Sequence, residues 1–190
     1  MRGDQREASV IRKAATAVLA AAVVLGVGTG CSSSTSGTAS PETSAADANS
    51  AVNWDPCTQV SDDVVRQVGA DPTTRETGVG GVAVEGWKAC SWYFQPEKAR
   101  SLTVWSSKFT ADDLKKKSDN IDFAAISVAG RDGWRYHRAS DTRHEDCDLV
   151  FPAKSGSFQL SFYNLTPSIT ADPCDGAMSA ADTIVPLFPR

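Results

Sequence analysis

The stretch CDLVFPAKSGSFQLSF, residues 147–162, decides how the chain folds. Cys147, Leu149 and Phe151 fall on one parity, and Phe158, Leu160 and Phe162 repeat the pattern after a gap. Side chains along a strand point alternately to opposite faces, so each half reads as a strand with an apolar face. Lys154-Ser155-Gly156-Ser157 between them is turn chemistry, and the two halves form an antiparallel hairpin.

The same alternation recurs upstream. Cys90, Trp92 and Phe94 define one strand, and Leu102, Val104 and Ser106 define its neighbour across a turn at residues 95–99. Residues 124–129 form a further strand with Ile126 and Val128 inward. Gly130-Arg131-Asp132-Gly133 is expected to turn it into a strand over residues 134–138, since Asp-Gly is a hairpin signal. Residues 76–85, rich in Gly and Thr, read as a loop, and residues 138–145 as a polar loop.

Helix starts are marked by Asp55-Pro56, Ser61-Asp62-Asp63, Thr110-Ala111-Asp112-Asp113 and Asp172-Pro173. Each places a capping side chain before a residue suited to the first turn. Val64, Val65 and Val68 give the early helix its stripe, and Met178, Ala181, Ile184 and Val185 give the last one its own. Lys115, Lys116 and Lys117 read as a solvated helix end that complements the dipole. The expected order is helix, two strands, helix, about four strands, helix. That is an α+β fold, an antiparallel β-sheet packed by N- and C-terminal helices.

The N-terminal residues set the address. Arg2, Arg6, Arg12 and Lys13 precede an apolar run over residues 14–27, followed by Gly28, Thr29, Gly30 and Cys31. A basic start, a short apolar core and small residues before a cysteine resemble a bacterial lipoprotein leader. Gly28 stands where that motif prefers Leu or Val. An uncleaved membrane anchor, which needs about 20 apolar residues, and simple secretion are the alternatives. The expected organisation is a signal peptide over residues 1–30, a lipidated Cys31 opening a Ser/Thr/Ala-rich tether over residues 31–53, and one extracytoplasmic domain over residues 54–190. The tether has too few bulky apolar residues to offset its ordering entropy.

Charge and cysteine count fit that address. The chain has net charge −4. Without its leader it keeps 15 Lys+Arg against 21 Asp+Glu, which argues against nucleic acid and against electrostatic binding to anionic lipid. Five cysteines are present. With Cys31 assigned to lipid, Cys57, Cys90, Cys147 and Cys174 remain for two disulfides, with three pairings open. A zinc site is the rival, but the four lack close paired spacing. Cys90 and Cys147 lie in strands with similar inward neighbours, and Cys57 and Cys174 both follow Asp-Pro. The nested pairing Cys57 with Cys174 and Cys90 with Cys147 is therefore expected.

Trp54-Asp55-Pro56-Cys57, Cys90-Ser91-Trp92, Asp146-Cys147 and Asp172-Pro173-Cys174, in that order before a terminal helix, resemble the actinobacterial lipoprotein family known as domain of unknown function 3558. The resemblance covers the chain from the lipid-modified cysteine onward. It implies a cell-membrane lipoprotein of the envelope and no particular activity.

No nucleophile elbow, phosphate-binding loop, His-Glu-x-x-His or dinucleotide fingerprint occurs, and no cofactor is expected. His137 and His144, with Glu145, Asp146 and Asp148, are the one candidate constellation for a metal or for acid–base chemistry. Their spacing matches no known ligand pattern, and a solvated loop is the simpler reading. Trp92 is expected in the core and Trp105 on the opposite sheet face. Tryptophans 54, 87, 92, 105 and 134 would form a binding patch only if several were exposed together. The expectation is a non-enzymatic binding or accessory protein, whose partner is an envelope protein or an apolar or cell-wall ligand. An envelope enzyme using the His137/His144 acidic loop is the alternative.

Overall fold

The computed structural model describes residues 51–190. The leader, Cys31 and most of the tether lie outside the described residues. Seven strands form one antiparallel sheet: β1 (Asp71–Thr77), β2 (Trp87–Phe94), β3 (Arg100–Ser107), β4 (Asn120–Val128), β5 (Arg131–Arg138), β6 (Asp146–Pro152) and β7 (Ser157–Asn164). Their spatial order is β1-β2-β3-β7-β6-β5-β4. The β6–β7 hairpin occupies the sheet centre, with Leu149 opposite Leu160 and Phe151 opposite Phe158. Beside it, Leu102 and Val104 of β3 lie opposite Phe162 and Leu160.

One face of this sheet is covered by helices α1 (Pro56–Gln59), α2 (Asp62–Gln67) and α4 (Pro173–Ile184). Cys90, Trp92, Leu102, Val104, Leu149, Phe151, Phe158 and Leu160 pack beneath them with almost no exposure. Alanines 177, 180 and 181 let α4 lie close to the sheet, and Ile184 fills the end of its buried stripe. Asp55 and Asp172 accept from the amides of Cys57 and Cys174, so each Asp-Pro-Cys caps its helix as the sequence indicates. The opposite face carries helix α3 (Ala111–Lys115), started by a reciprocal Thr110–Asp113 capping box.

Four expectations are corrected. Residues 76 and 77, expected in a loop, close β1, a polar edge strand, Asp-Pro-Thr-Thr-Arg-Glu-Thr, without the apolar alternation that marks a half-buried strand. The turn after β4 is Ala129-Gly130, both with positive φ, and not residues 130–133. Gly133 sits inside β5, where a Cβ would come 2.5 Å from the Val150 carbonyl oxygen. The folded domain reaches back to a 3-10 turn at Ala51–Asn53, whose Ala51 is fully buried and donates its amide to Ser155 O at 2.9 Å.

The fourth correction concerns the disulfides. Cys57 is bonded to Cys90 and Cys147 to Cys174, each with Cα atoms 5.0 Å apart. The nested pairing fails for a simple reason. Cys90 lies in β2 and Cys147 in β6, with β3 and β7 between them. Three strand spacings of about 4.8 Å exceed the reach of a disulfide. Each Asp-Pro-Cys instead staples its helix start to the strand directly beneath it.

Candidate functional site

The face opposite α4 holds the site. Strand parity sends Trp105 of β3, Gln159 of β7, Val150 of β6 and Trp134 of β5 to this side in one row. The next row carries Thr103, Ser161, Asp148 and Tyr136. Leu114 of α3 lies against Tyr136, Val150 and Trp134 and closes one flank. Residues 78–86 form the other flank, where Val79, Val82 and Val84 are exposed.

Between the flanks is a cavity of about 320 Å³, walled by Val84, Trp87, Trp105 and Leu114, with Tyr136 and Gln159 on its floor. The Trp87 and Trp105 rings meet edge to face at 5.8 Å, and Trp87 also lies 5.5 Å from Phe109. Tyr136 donates its hydroxyl to Gln159 Oε1 at 3.3 Å and stacks on Phe123. The lysines read as a plain solvated end are partly recruited here. Lys115 Nζ sits 3.3 Å from the Trp134 ring centroid, and Lys117 Nζ lies 5.3 Å from that of Trp87.

A buried polar network continues from the floor. Trp105 Nε1 donates to Ser161 Oγ at 3.0 Å, and Ser161 Oγ donates to Asp148 Oδ1. Arg138 Nε donates to Asp148 Oδ2 at 2.9 Å, and its second approach is to Asp146 Oδ2 at 3.6 Å. The Asp148 side chain is wholly buried, so a paired cation is the condition for its charge. Burial opposes the charge on Arg138, but the Asp148 carboxylate outweighs it and raises the guanidinium above its ordinary range. Burial, then repulsion from Asp148 and Asp141, pushes the Asp146 carboxyl up to about 7. Burial pushes Tyr163 up to about 12, and holds Tyr136 well above its usual value. Oδ1 of Asp146 is buried without a hydrogen-bond partner.

The histidines lie elsewhere. His137 and His144 stand 6.2 Å apart and perpendicular, and with Glu145 they line a second, larger cleft of about 560 Å³. His137 Nδ1 is 3.1 Å from the Asp146 carbonyl, which makes it the protonated nitrogen, and Nε2 faces Cys174 Sγ at 3.8 Å. Glu145 is paired with Arg143 at 2.6 Å. Asp146 and Asp148 point to the opposite sheet face. The five residues therefore do not converge on one point. Among the described residues no group of three His, Cys, Asp or Glu side chains is placed to hold a metal ion.

Trp92 is in the core and Trp105 on the other face, as read from parity. Tyr136, Arg138 and Gln159 were not singled out, and Lys117 was read only as part of a solvated helix end. The signal available for three of them was parity: Gln159 alternates with Leu160, and Tyr136 and Arg138 share the parity of Trp134.

These features define an antiparallel α+β domain stapled by two disulfides, with an aromatic cavity on the sheet face away from its main helix. A family model described as "Protein of unknown function (DUF3558)" matches residues 26–187, so the chain belongs to that family. Neither the curated proteins nor the solved structures gave a match.

Proposed function

We propose that the protein is a cell-envelope lipoprotein of the actinobacterial kind, anchored on the extracytoplasmic face of the membrane through Cys31. Its domain binds a small ligand with an apolar ring body in the Trp87–Trp105 cavity and performs no chemistry on it. The observation that carries the reading is the cavity itself. Apolar walls with a few convergent polar groups are the usual make-up of a small-ligand site, and about 320 Å³ lies at the small end of the usual range. The anchor is supported by the leader pattern and by the two disulfides, which engage the other four cysteines and leave Cys31 for acylation. A diacylglyceryl group supplies the two chains that lasting attachment needs.

Binding is tested with the neutral aromatic probe N-phenyl-1-naphthylamine, followed by its fluorescence. Uptake by the wild-type domain, lost in Trp87→Ala and in Val84→Glu, supports the reading. Val84 is 43% exposed at the cavity wall, so its replacement blocks the site without emptying the core. Equal uptake by all three proteins, or none by the wild type, overturns it. The anchor is tested by Cys31→Ala, expected to release the protein or leave a precursor; wild-type fractionation and migration would overturn it.

One observation favours a second reading as an envelope enzyme: His137, His144 and Glu145 share the larger cleft. Replacing both histidines by Ala should then abolish complementation of a deletion strain. On the binding reading it leaves complementation intact.

A further inference from the structure

The cavity is lined by three charged side chains, Lys117, Asp119 and Arg138. Two of them are already engaged. Asp119 accepts from the Ser140 amide and the Ser140 hydroxyl, both at 2.9 Å. Arg138 is held by Asp148. Lys117 differs from both, and also from its neighbours. Lys115 pairs with Asp112 and Lys116 with Asp113, whereas Lys117 has no carboxylate within ion-pair distance among the described residues. Its ammonium instead lies 5.3 Å from the Trp87 ring centroid and 5.8 Å from that of Phe109.

Two aromatic rings therefore flank an exposed ammonium at the wall of the cavity, with no carboxylate of the described residues within ion-pair distance. From this we infer that the ligand is an organic monoanion. A body of one or two rings packs against Trp87, Trp105 and Leu114, and one carboxylate, sulfonate or phosphate monoester group pairs with Lys117. The inference rests on the reading of this cavity as the binding site, and deepens it by naming the ligand class. The chain is acidic overall, so its general field does not draw anions in; the local ammonium does. A cationic ligand would meet Lys117 as a like charge and would find Asp148 paired with Arg138; Asp119 keeps its charge, held only by the neutral donors of Ser140. The ammonium is exposed, so the pair is screened by water and contributes about 1 kcal/mol or less.

Two probes of similar size separate charge from shape: anionic 8-anilinonaphthalene-1-sulfonate and neutral N-phenyl-1-naphthylamine. The substitution is Lys117→Met, which keeps the apolar stem over the rings, with Lys116→Met as the control. Near-ultraviolet circular dichroism matching the wild type establishes that each variant is folded. The anionic probe is expected to bind the wild type more tightly than the neutral one. Lys117→Met should weaken the anionic probe about threefold, corresponding to about 0.7 kcal/mol, and leave the neutral probe and the control unaffected. Raised salt should weaken only the anionic probe. If Lys117→Met weakens both probes equally, or neither, the anion claim is overturned while the binding site stands. If neither probe binds the wild type, the binding reading itself falls.

Discussion

Arg138 Nε donates to Asp148 Oδ2 at 2.9 Å, and the carboxylate it meets has no solvent exposure at all. The guanidinium keeps part of its surface in water while its partner has none. Removing the cation strands a buried charge. Arg138→Met should therefore cost about 3–5 kcal/mol of unfolding free energy. Adding Asp148→Asn to that variant should recover a large part of the loss. Denaturant titration of the two proteins checks both statements, and equal stability of the single and double variants would contradict them.

Asp146 gives the fold a pH dependence with a defined sign. Burial first, then Asp148 and Asp141, raises its carboxyl from 3.8 to about 7. The folded protein thus keeps a proton that the unfolded chain gives up. Below about pH 4 both states are protonated, and the contribution to stability is fully present. It declines as pH rises toward 7 and is lost above that. Asp146→Asn should remove this term, so the wild type should lose melting temperature relative to the variant between pH 4 and pH 7. Parallel profiles would rule out the raised carboxyl.

The disulfides make separable contributions. The bridges span 33 and 27 residues, and loops of that size stabilise by about 3–4 kcal/mol each in the chain-entropy account. Peptide mapping of the non-reduced protein should return Cys57 joined to Cys90 and Cys147 joined to Cys174. Replacing either pair by Ala should lower stability by that amount while leaving the other bridge intact.

Two neighbouring glycines serve different needs. Gly130 has a φ of 73° with open space around the missing Cβ, so Gly130→Ala carries only the backbone cost of about 1 kcal/mol. At Gly133 a Cβ would meet Val150 O at 2.5 Å and Phe151 Cδ1 at 2.7 Å. Gly133→Ala should cost about 2–3 kcal/mol through crowding in the sheet. The reverse ranking by thermal melting would count against the placement of the turn.

What could be read in advance follows from burial. Strands β2, β3, β6 and β7 announce themselves because one face lies under helices, and the alternation of Cys147, Leu149 and Phe151 records that. β1 has no such record, since a polar edge strand buries little. The Ala129-Gly130 turn was obscured by a stronger Asp-Gly signal, and only the close approach of Val150 and Phe151 reveals why Gly133 is a glycine. The disulfide partners depend on strand order, which parity does not carry: two inward cysteines look alike whether their strands are adjacent or three apart. The cavity was half legible. Trp105 was assigned to the second face, but the burial of Gln159, Ser161 and Asp148 there depends on how α3 returns across the sheet, and Lys117 belongs to the site only through that path.

The edge-to-face contact of Trp54 with Phe188, at 5.3 Å, brings the first and last described segments together over Phe158, on which Phe188 is stacked. Arg131 fastens the same end by donating to the carbonyls of Phe188 and Pro189 at 3.0 and 2.7 Å. The domain is thus nearly a closed ring of chain. Its ends could be joined by a short linker and new ones opened at the exposed Gly80-Gly81 turn, giving a circular permutant with the same core. A pull applied to the chain ahead of Ala51 would load Ala51 and Trp54 first, and so bear on the same clasp that secures the opposite end.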